Sequence, residues 1–550
     1  MKILKDNNVE DLSGLSHEEL ESRYCELSVK YAEAEAKIRF YEEQYRLSQS
    51  NRFGRSSERM VDGQLGIEDF NIFNEAEQVR DPFTKELKED DVIASNGAHK
   101  GRKKNTGALP VVTDTFELDE DKKICPRCGS TLHEVKKITT VQIEVIPAKT
   151  FVHKYEAMQY ACRRCDENGE SSFVTAPGAP KHPISGSIAG ASLIADIISK
   201  KFVDATPFYR QEENNLRKNI PITRANMCNW TISVANTYFK TLERRLREIQ
   251  YSEHVIHCDE TYVEVLKEDG RRPERKSYIW VTTTPEYKKE HPIALYRYMP
   301  TRSAEDARKV LKGYQGYIIC DGYPGYDALL KRGKDGSSPM NVTLVCCLAH
   351  LRRKFTDALK VTVPGLRMHS SAETAIKKIR YIFDLDKQLK ELSPEERKKE
   401  RRNRLKPAMD SFYAWLEDES AITLPRCKYG EAVNYALSQK DKVYNVFLDG
   451  RLDIDNNIAE RAVKPFVIGR KNWLFSDTVQ GAEASSILYG IIETAKRNNL
   501  IPYEYIKWCL ERMPEIEEPL CDIIDRFLPW SDEIPDYVKN PQTTDDTEIC

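Results

Sequence analysis

The sequence predicts a multidomain α+β protein with a mixed α/β core, on three observations. The runs Val255–Val265 (VIHCDETYVEV) and Tyr317–Tyr326 (YIICDGYPGY) each deliver a lone aspartate, Asp259 and Asp321, from a β-type stretch. From Tyr251 onward the pattern reads three strands, helix, strand, helix, strand, the order of an RNase H-like mixed sheet. In that fold the first strand carries one carboxylate and the fourth sets another close beside it. Further on, Asp455–Lys464 (DNNIAERAVK) offers a third carboxylate, Glu460, on a helical stretch. Buried carboxylates cost several kcal/mol unless paired, hydrogen-bonded or bound to a metal. Hard divalent cations favour such oxygen ligands, and Asp, Asp, Glu is the constellation of two-metal phosphoryl transfer on nucleic acid.

At 550 residues the chain exceeds what one core organises, so three or four domains are expected. Charged residues make up 31% yet the net charge is only −3, so any nucleic-acid surface must be local. No apolar run is long enough to cross a membrane, and Met1–Glu10 lacks the apolar core of a signal peptide, which points to the cytoplasm. Of fourteen cysteines, ten are scattered singly or as the pair Cys346–Cys347, and four form two CxxC pairs. That pattern fits a reducing compartment with one metal site rather than a disulfide framework.

In chain order, residues 1–60 read as a coiled-coil helix. Leu20, Tyr24, Leu27, Tyr31, Ala34, Ile38, Tyr41 and Tyr45 step by four and three without a break, an a/d seam flanked by charges. Packing on its own chain satisfies the same pattern, but nothing adjacent reads as a docking partner, which favours self-association. Residues 61–118 form a charged linker, acidic at Lys88–Asp91 and basic at His99–Lys104; Arg102, Lys103 and Lys104 are candidate phosphate contacts. Residues 119–170 hold Cys125-Pro-Arg-Cys128 and Cys162-Arg-Arg-Cys165, the knuckles of a tetrahedral four-cysteine ribbon around one structural Zn²⁺. So small a unit folds only with its ion, and Arg163 and Arg164 inside the second knuckle face outward toward phosphates.

Residues 184–250 are helical, with short helices broken near Pro207 and Pro221 and a new one opening after Thr223. This resembles a helix-turn-helix DNA-binding region, although helical packing alone fits it equally. Residues 251–369 form the first part of the catalytic core, 370–450 a charged helical insertion, 451–510 its last part and 511–550 a tail. In the last part, the Glu460 helix is expected to stop at Pro465, followed by GRKNWLF as a basic-aromatic strand and a long helix over Gly481–Arg497. Glu483 and Glu493 compete with Glu460 as the third carboxylate. A helix start accounts for Glu483 and an ion pair with Lys496 for Glu493, which leaves Glu460.

With these residues assembled, the chain resembles the large transposase (transposase C type) of the bacterial insertion sequence sixty-six family over nearly its whole length. The blocks that carry the likeness are FGRSSER, HKGRKK, the two CxxC knuckles, KKFVDATPFYRQE, IHCDET, CDGYPGY, CLAHLRRKF, DNNIAERAVKPFVIGRKNWLF and GAEASSILYGIIETAKRNNLIPYEY. Tyr262, Leu348 and Lys464 depart from the usual residues, and none of the three removes a carboxylate. The resemblance implies a DDE-type DNA transposase with Asp259, Asp321 and Glu460 as ligands of two Mg²⁺ (or Mn²⁺) ions. It implies element ends and target DNA as partners, a homodimer or higher oligomer, accessory proteins of the same element, and a bacterial, nucleoid-associated location. Arg470, Lys471 and Trp473 are expected to hold the element end through phosphate and stacking contacts. Cys347 and His350, spaced CxxH, resemble a motif of related transposases with helical insertions. Two ligands are too few for a zinc site, so a packing or hydrogen-bonding role is expected. A catalytically silent repressor of the same element is the rival reading, and the intact carboxylates argue against it.

Overall fold

The computed structural model describes residues 150–161, 173–175 and 180–540, with breaks at 273–274, 288–289, 334–335 and around 363, and isolated positions between 16 and 41. The Cys125, Cys128, Cys162 and Cys165 knuckles, Arg163, Arg164 and the cluster Arg102, Lys103, Lys104 lie outside the described residues. The chain divides into two units, Met1–Ser57 with His182–Val538, and Glu58–Lys181 with Lys539–Cys550. In the second unit β1 (Gln159–Ala161) pairs antiparallel with β2 (Phe173–Thr175).

At the N-terminus of the first unit, the described residues His17, Tyr24, Lys30, Tyr31, Ile38 and Tyr41 are helical. Four of the seam side chains, Tyr24, Tyr31, Ile38 and Tyr41, are 59–74% exposed. Three further helices then follow, α1 (Ala191–Phe202), α2 (Phe208–Arg217) and α3 (Arg224–Val234). Thr223 caps α3, accepting from the Asn226 amide at 3.2 Å while the Asn226 side chain accepts from the Thr223 amide, so α3 starts where the sequence places it. Helix α3 then runs through a π-helical turn, Ala235–Phe239, into α4 (Lys240–Tyr251). Val234, Phe239, Leu242 and Leu246 are fully buried in the same core as the sheet that follows. The inward face of this region is thus spent on packing the core.

The sheet comprises β3 (Val255–Lys267), β4 (Lys276–Thr283), β5 (Ala294–Met299), β6 (Gly316–Cys320) and β7 (Val342–Cys346). Its order is β5-β4-β3-β6-β7, with β3, β4 and β5 antiparallel and β3, β6 and β7 parallel. Helix α5 (Ala304–Val310) connects β5 to β6, and α6 (Leu348–Val361) follows β7. Side chains alternate between the two faces as a strand demands. Ile256, Cys258, Ile318, Cys320 and Leu344 pack with α5 on one face. Val255, Ile319 and Val345 face the other way, into the core of the insertion.

That insertion consists of α7 (Ser371–Gln388), α8 (Pro394–Glu400), α9 (Lys406–Ile422) and α10 (Lys428–Ser438). Phe355, Ile379, Phe412, Tyr413 and Val433 fill it. Its charged sequence is only partly a solvated face. Arg401 is fully buried, donating to Asp386 at 2.7 Å and to the Leu452 carbonyl at 2.6 Å. Arg397 shares Asp386 at 3.0 Å and lies 3.8 Å from Asp453, whose other oxygen is 3.2 Å from His257 on β3. The chain returns at Gly450, where a Cβ would sit 1.8 Å from the Pro394 carbonyl oxygen, so only glycine fits there.

Helix α11 (Asn457–Trp473) carries Glu460 and passes straight through Pro465, contrary to the expected stop. Proline removes one helical hydrogen bond, and here the freed carbonyl belongs to Arg461 on the exposed side. Ala459, Ala462, Val463 and Phe466 are buried on the other side, which holds the helix together across the defect. The helix ends at Leu474, in the left-handed region at φ 69°. GRKNW is therefore helical, and the strand is β8 (Phe475–Thr478), parallel to the far end of β3. Helix α12 (Val479–Arg497) lies over β5 and is buried through most of its length. After α13 (Pro502–Arg512), the expected tail joins the core as far as Val538, with Trp508, Phe527, Ile534 and Val538 buried and the Ile501 amide bonded to the Val538 carbonyl at 2.8 Å.

Candidate active site

The last ladder pair between β3 and β6 is His257 opposite Ile319. Two residues on along each parallel strand come Asp259, within β3, and Asp321, just past the end of β6, so the two aspartates stand side by side on one face of the sheet. Open α/β sheets bind their ligands at carboxyl strand ends such as that of β6. Asp321 is fixed by a local turn, its Oδ1 accepting from the Tyr323 amide at 3.0 Å. The next amide, Gly322, donates to the Tyr435 hydroxyl of α10 at 3.1 Å, so the insertion grips this loop. A Cβ on Gly322 would lie 2.3 Å from that hydroxyl.

Glu460 stands in the first turn of α11, and Asn456 aims that turn. The buried Asn456 donates its amide to Cys347 Sγ at 3.1 Å and its Nδ2 to the Cys258 carbonyl at 2.9 Å. Its Oδ1 accepts from His257 Nδ1 at 2.9 Å, which assigns that proton to Nδ1. The Leu348 amide donates to the Ile454 carbonyl at 2.9 Å. The returning chain is thus stitched to β3 and to the β7–α6 junction just before Glu460. Cys347 Sγ accepts from the Asn456 amide, and burial pushes its thiol well above its ordinary range.

His350 and Arg353 lie one turn apart on α6 and face Glu460. Arg353 Nη2 donates to Glu460 Oε2 at 3.0 Å and Oε1 at 3.3 Å, and Nη1 donates to His350 Nε2 at 3.1 Å. His350 Nδ1 then carries the proton and lies 3.6 Å from Glu460 Oε1, beyond hydrogen-bond reach. Burial lowers the His350 pKa, outweighing the neighbouring Glu460, so the ring is neutral. On the other side, Arg302 bridges Glu260 and Asp321, at 3.3 Å from Asp321, with its guanidinium 3.7 Å above the Tyr323 ring. The second Glu260 oxygen takes the Tyr326 hydroxyl at 2.7 Å.

Asp259 is half-buried by surface, yet its carboxyl group sits deep among protein atoms. Its pKa is held well above the carboxylate range, first by burial, then by the charges of Glu260 and Glu460, with Asp321 adding to them. The site is therefore a set of oxygen donors short of positive charge around Asp259, which fits a hard divalent cation. Among the described residues no group of three His, Cys, Asp or Glu side chains is already gathered in metal-binding geometry. Arg302 lies on Asp321 and Glu260, and Arg353 on Glu460.

The three residues expected to hold an element end separate here. Arg470 is buried; it donates to the Thr261 hydroxyl at 3.2 Å and to the Tyr262 carbonyl, and stacks 3.7 Å over the Tyr262 ring. It ties α11 to β3 instead of facing a phosphate. Trp473 packs on the core, 6.3 Å from the Tyr489 ring and 6.4 Å from Phe202, so its faces are largely spent. Lys471 is exposed. Sequence reading missed Glu260, Arg302, Arg353 and Asn456. Arg353 had a signal, its one-turn spacing from His350 in CLAHLRRKF, whereas nothing around Arg302 marks it.

The fold and this cluster define a mixed-sheet α/β protein with acidic residues on two neighbouring parallel strands and on a helix beside them. Residues 186–484 match the profile of the Transposase IS66 family, residues 122–166 that of the zinc-finger binding domain of transposase IS66, and residues 491–530 that of the IS66 C-terminal element. The chain belongs to the transposase IS66 family. It is 30% identical over 435 residues to Uncharacterized protein y4jD of Sinorhizobium fredii (strain NBRC 101917 / NGR234), covering 78% of this chain and 82% of that one. It is 28% identical over 394 residues to Uncharacterized protein y4qI of the same organism, covering 71% and 70% respectively. Membership implies DNA as the partner and a divalent metal as cofactor, alongside the zinc-finger domain. Among the described residues no helix is long and apolar enough to cross a membrane.

Proposed function

We propose that this protein is a DDE-type DNA transposase that binds the ends of an insertion sequence and catalyses metal-dependent strand cleavage and strand transfer into target DNA. The observation that carries the reading is that Asp259, within β3, and Asp321, just past the neighbouring parallel strand β6, stand side by side, with Glu460 close enough to raise the Asp259 pKa. In this reading Asp259, Asp321 and Glu460 hold two divalent ions, Mg²⁺ or Mn²⁺. Such ions, when bound, activate water or a 3′-hydroxyl and stabilise the leaving oxygen.

The chain's own residues do the positioning. Asn456 and Cys347 set the first turn of α11 against β3, and Tyr435 fixes the loop that carries Asp321. Arg302 stays on the fully buried Glu260 side chain and keeps one positive charge beside Asp321. Cys125, Cys128, Cys162 and Cys165 hold the structural zinc, and Arg102, Lys103, Lys104, Arg163, Arg164 and Lys471 supply phosphate contacts. Self-association through the N-terminal seam is supported by the exposure of Tyr24, Tyr31, Ile38 and Tyr41 along it.

The test is strand transfer of element-end DNA in Mg²⁺. Asp259→Ala and Asp321→Ala should each reduce joining to background while end binding persists. Undiminished joining by either variant would overturn the mechanism.

A further inference from the structure

The two arginines at the site are not equivalent. Arg302 is anchored independently of Asp321, stacked on Tyr323 and paired with Glu260, whose side chain is 1% exposed. Arg353 has no such second anchor. Among the described residues it bonds to Glu460 and to His350 Nε2, its Nε is buried without a hydrogen-bond partner, and its side chain is 34% exposed. It reaches both oxygens of Glu460 through a single nitrogen, Nη2, rather than by the two-nitrogen fork that makes arginine–carboxylate pairs strong. The same oxygens are those a cation would need. A guanidinium and a divalent ion cannot both hold them, so each must weaken the other's binding.

We propose that Arg353 is a displaceable internal counter-ion: it occupies Glu460 while the site is metal-free, and is released toward a DNA phosphate when a divalent cation takes the carboxylates. The inference rests on the metal-binding reading of Asp259, Asp321 and Glu460. It assigns Arg353 two successive partners of one chemistry, carboxylate and then phosphate, both planar or tetrahedral oxyanions suited to a guanidinium. It makes metal loading and DNA binding mutually reinforcing, because the group evicted by one becomes a contact for the other.

Mn²⁺ binding to the zinc-loaded full chain, without DNA, is followed by the electron paramagnetic resonance signal of the free ion. Arg353→Gln should bind Mn²⁺ about ten-fold more tightly than the unaltered chain, equivalent to about 1.4 kcal/mol. Arg353→Lys, which keeps the charge, should stay near the unaltered affinity. Binding to a short DNA duplex of arbitrary sequence in Mn²⁺ should weaken for Arg353→Gln, and its dependence on salt should fall by about one phosphate contact. Equal or weaker Mn²⁺ affinity for Arg353→Gln, with Glu460→Gln still losing Mn²⁺, would overturn the counter-ion role alone. If Glu460→Gln and Asp259→Asn both leave Mn²⁺ binding unchanged, the metal site itself is wrong and the counter-ion role falls with it.

Discussion

Glu460 owes its position to residues that are not acidic. Asn456 alone joins the first turn of α11 to Cys258, His257 and Cys347, all at 3.1 Å or less. Glu493, the other helical candidate, is 8% exposed and paired with Lys496 at 2.8 Å, on a helix packed over β5. Glu460→Gln should therefore lower strand cleavage by at least about 100-fold, the scale of losing a preorganised electrostatic group. Glu493→Gln should cleave near the unaltered rate. The reverse pattern, in variants shown to be folded, would reassign the third carboxylate. The strand context of Asp259 and Asp321 was legible because each follows a run of apolar and β-branched residues. Glu260 escaped notice because adjacent strand residues point to opposite faces, so its partners, Arg302 and Tyr326, come from elsewhere in the chain.

Among the elements, the succession of strands and helices and the helical insertion were readable from periodicity, since both patterns persist over many residues. The run through Pro465 was not, because the buried contacts that carry α11 past the proline are tertiary. Nor was the role of the charges in α8 and the π-helical turn after it, where Arg397 and Arg401 are buried on Asp386 and near Asp453. Burial alone raises the Asp453 pKa, but the His257 hydrogen bond and the charges of His257, Arg397 and Arg401 outweigh it and hold it below the ordinary value. A depressed carboxylate contributes stability that is present above its unfolded pKa, about 3.9, and is lost as pH falls through the folded value. Asp453→Asn should thus cost about 2 kcal/mol at neutral pH, the worth of a hydrogen bond to a charged group. Thermal unfolding followed at pH 7 and again at the acid end should show that gap closing as pH falls below the unfolded value. An unchanged gap would mean that Asp453 acts only by shape.

On the scale of the whole molecule, one core joins residues 184–250, the antiparallel strands of the sheet, α12 and the chain as far as Val538, where the sequence suggested separate modules and a tail. Composition does not show this sharing, because it arises from helices of different segments burying their apolar faces together. The purified full chain should carry about one tightly held zinc, lost in Cys125→Ser and Cys162→Ser, as a site of four cysteine ligands requires. Charges placed at Leu27 and Ile38 should shift sedimentation toward the monomer by putting unpaired ions in the seam. The same sedimentation for that variant and the unaltered chain would show that the seam packs internally.

The stitching of Ile454 and Asn456 onto the β7–α6 junction also sets a schedule. During synthesis β3, β6 and β7 leave the ribosome, and the whole insertion must follow before Glu460 can be threaded back beside them. On the assignment proposed above, a nascent or prematurely terminated polypeptide already holds both aspartates and the modules that find DNA, yet lacks the group that completes the chemistry. Chains ending before residue 451 should accordingly leave element ends uncut in Mg²⁺. Translation would then act as a safety catch, arming the nuclease only when the protein is nearly finished.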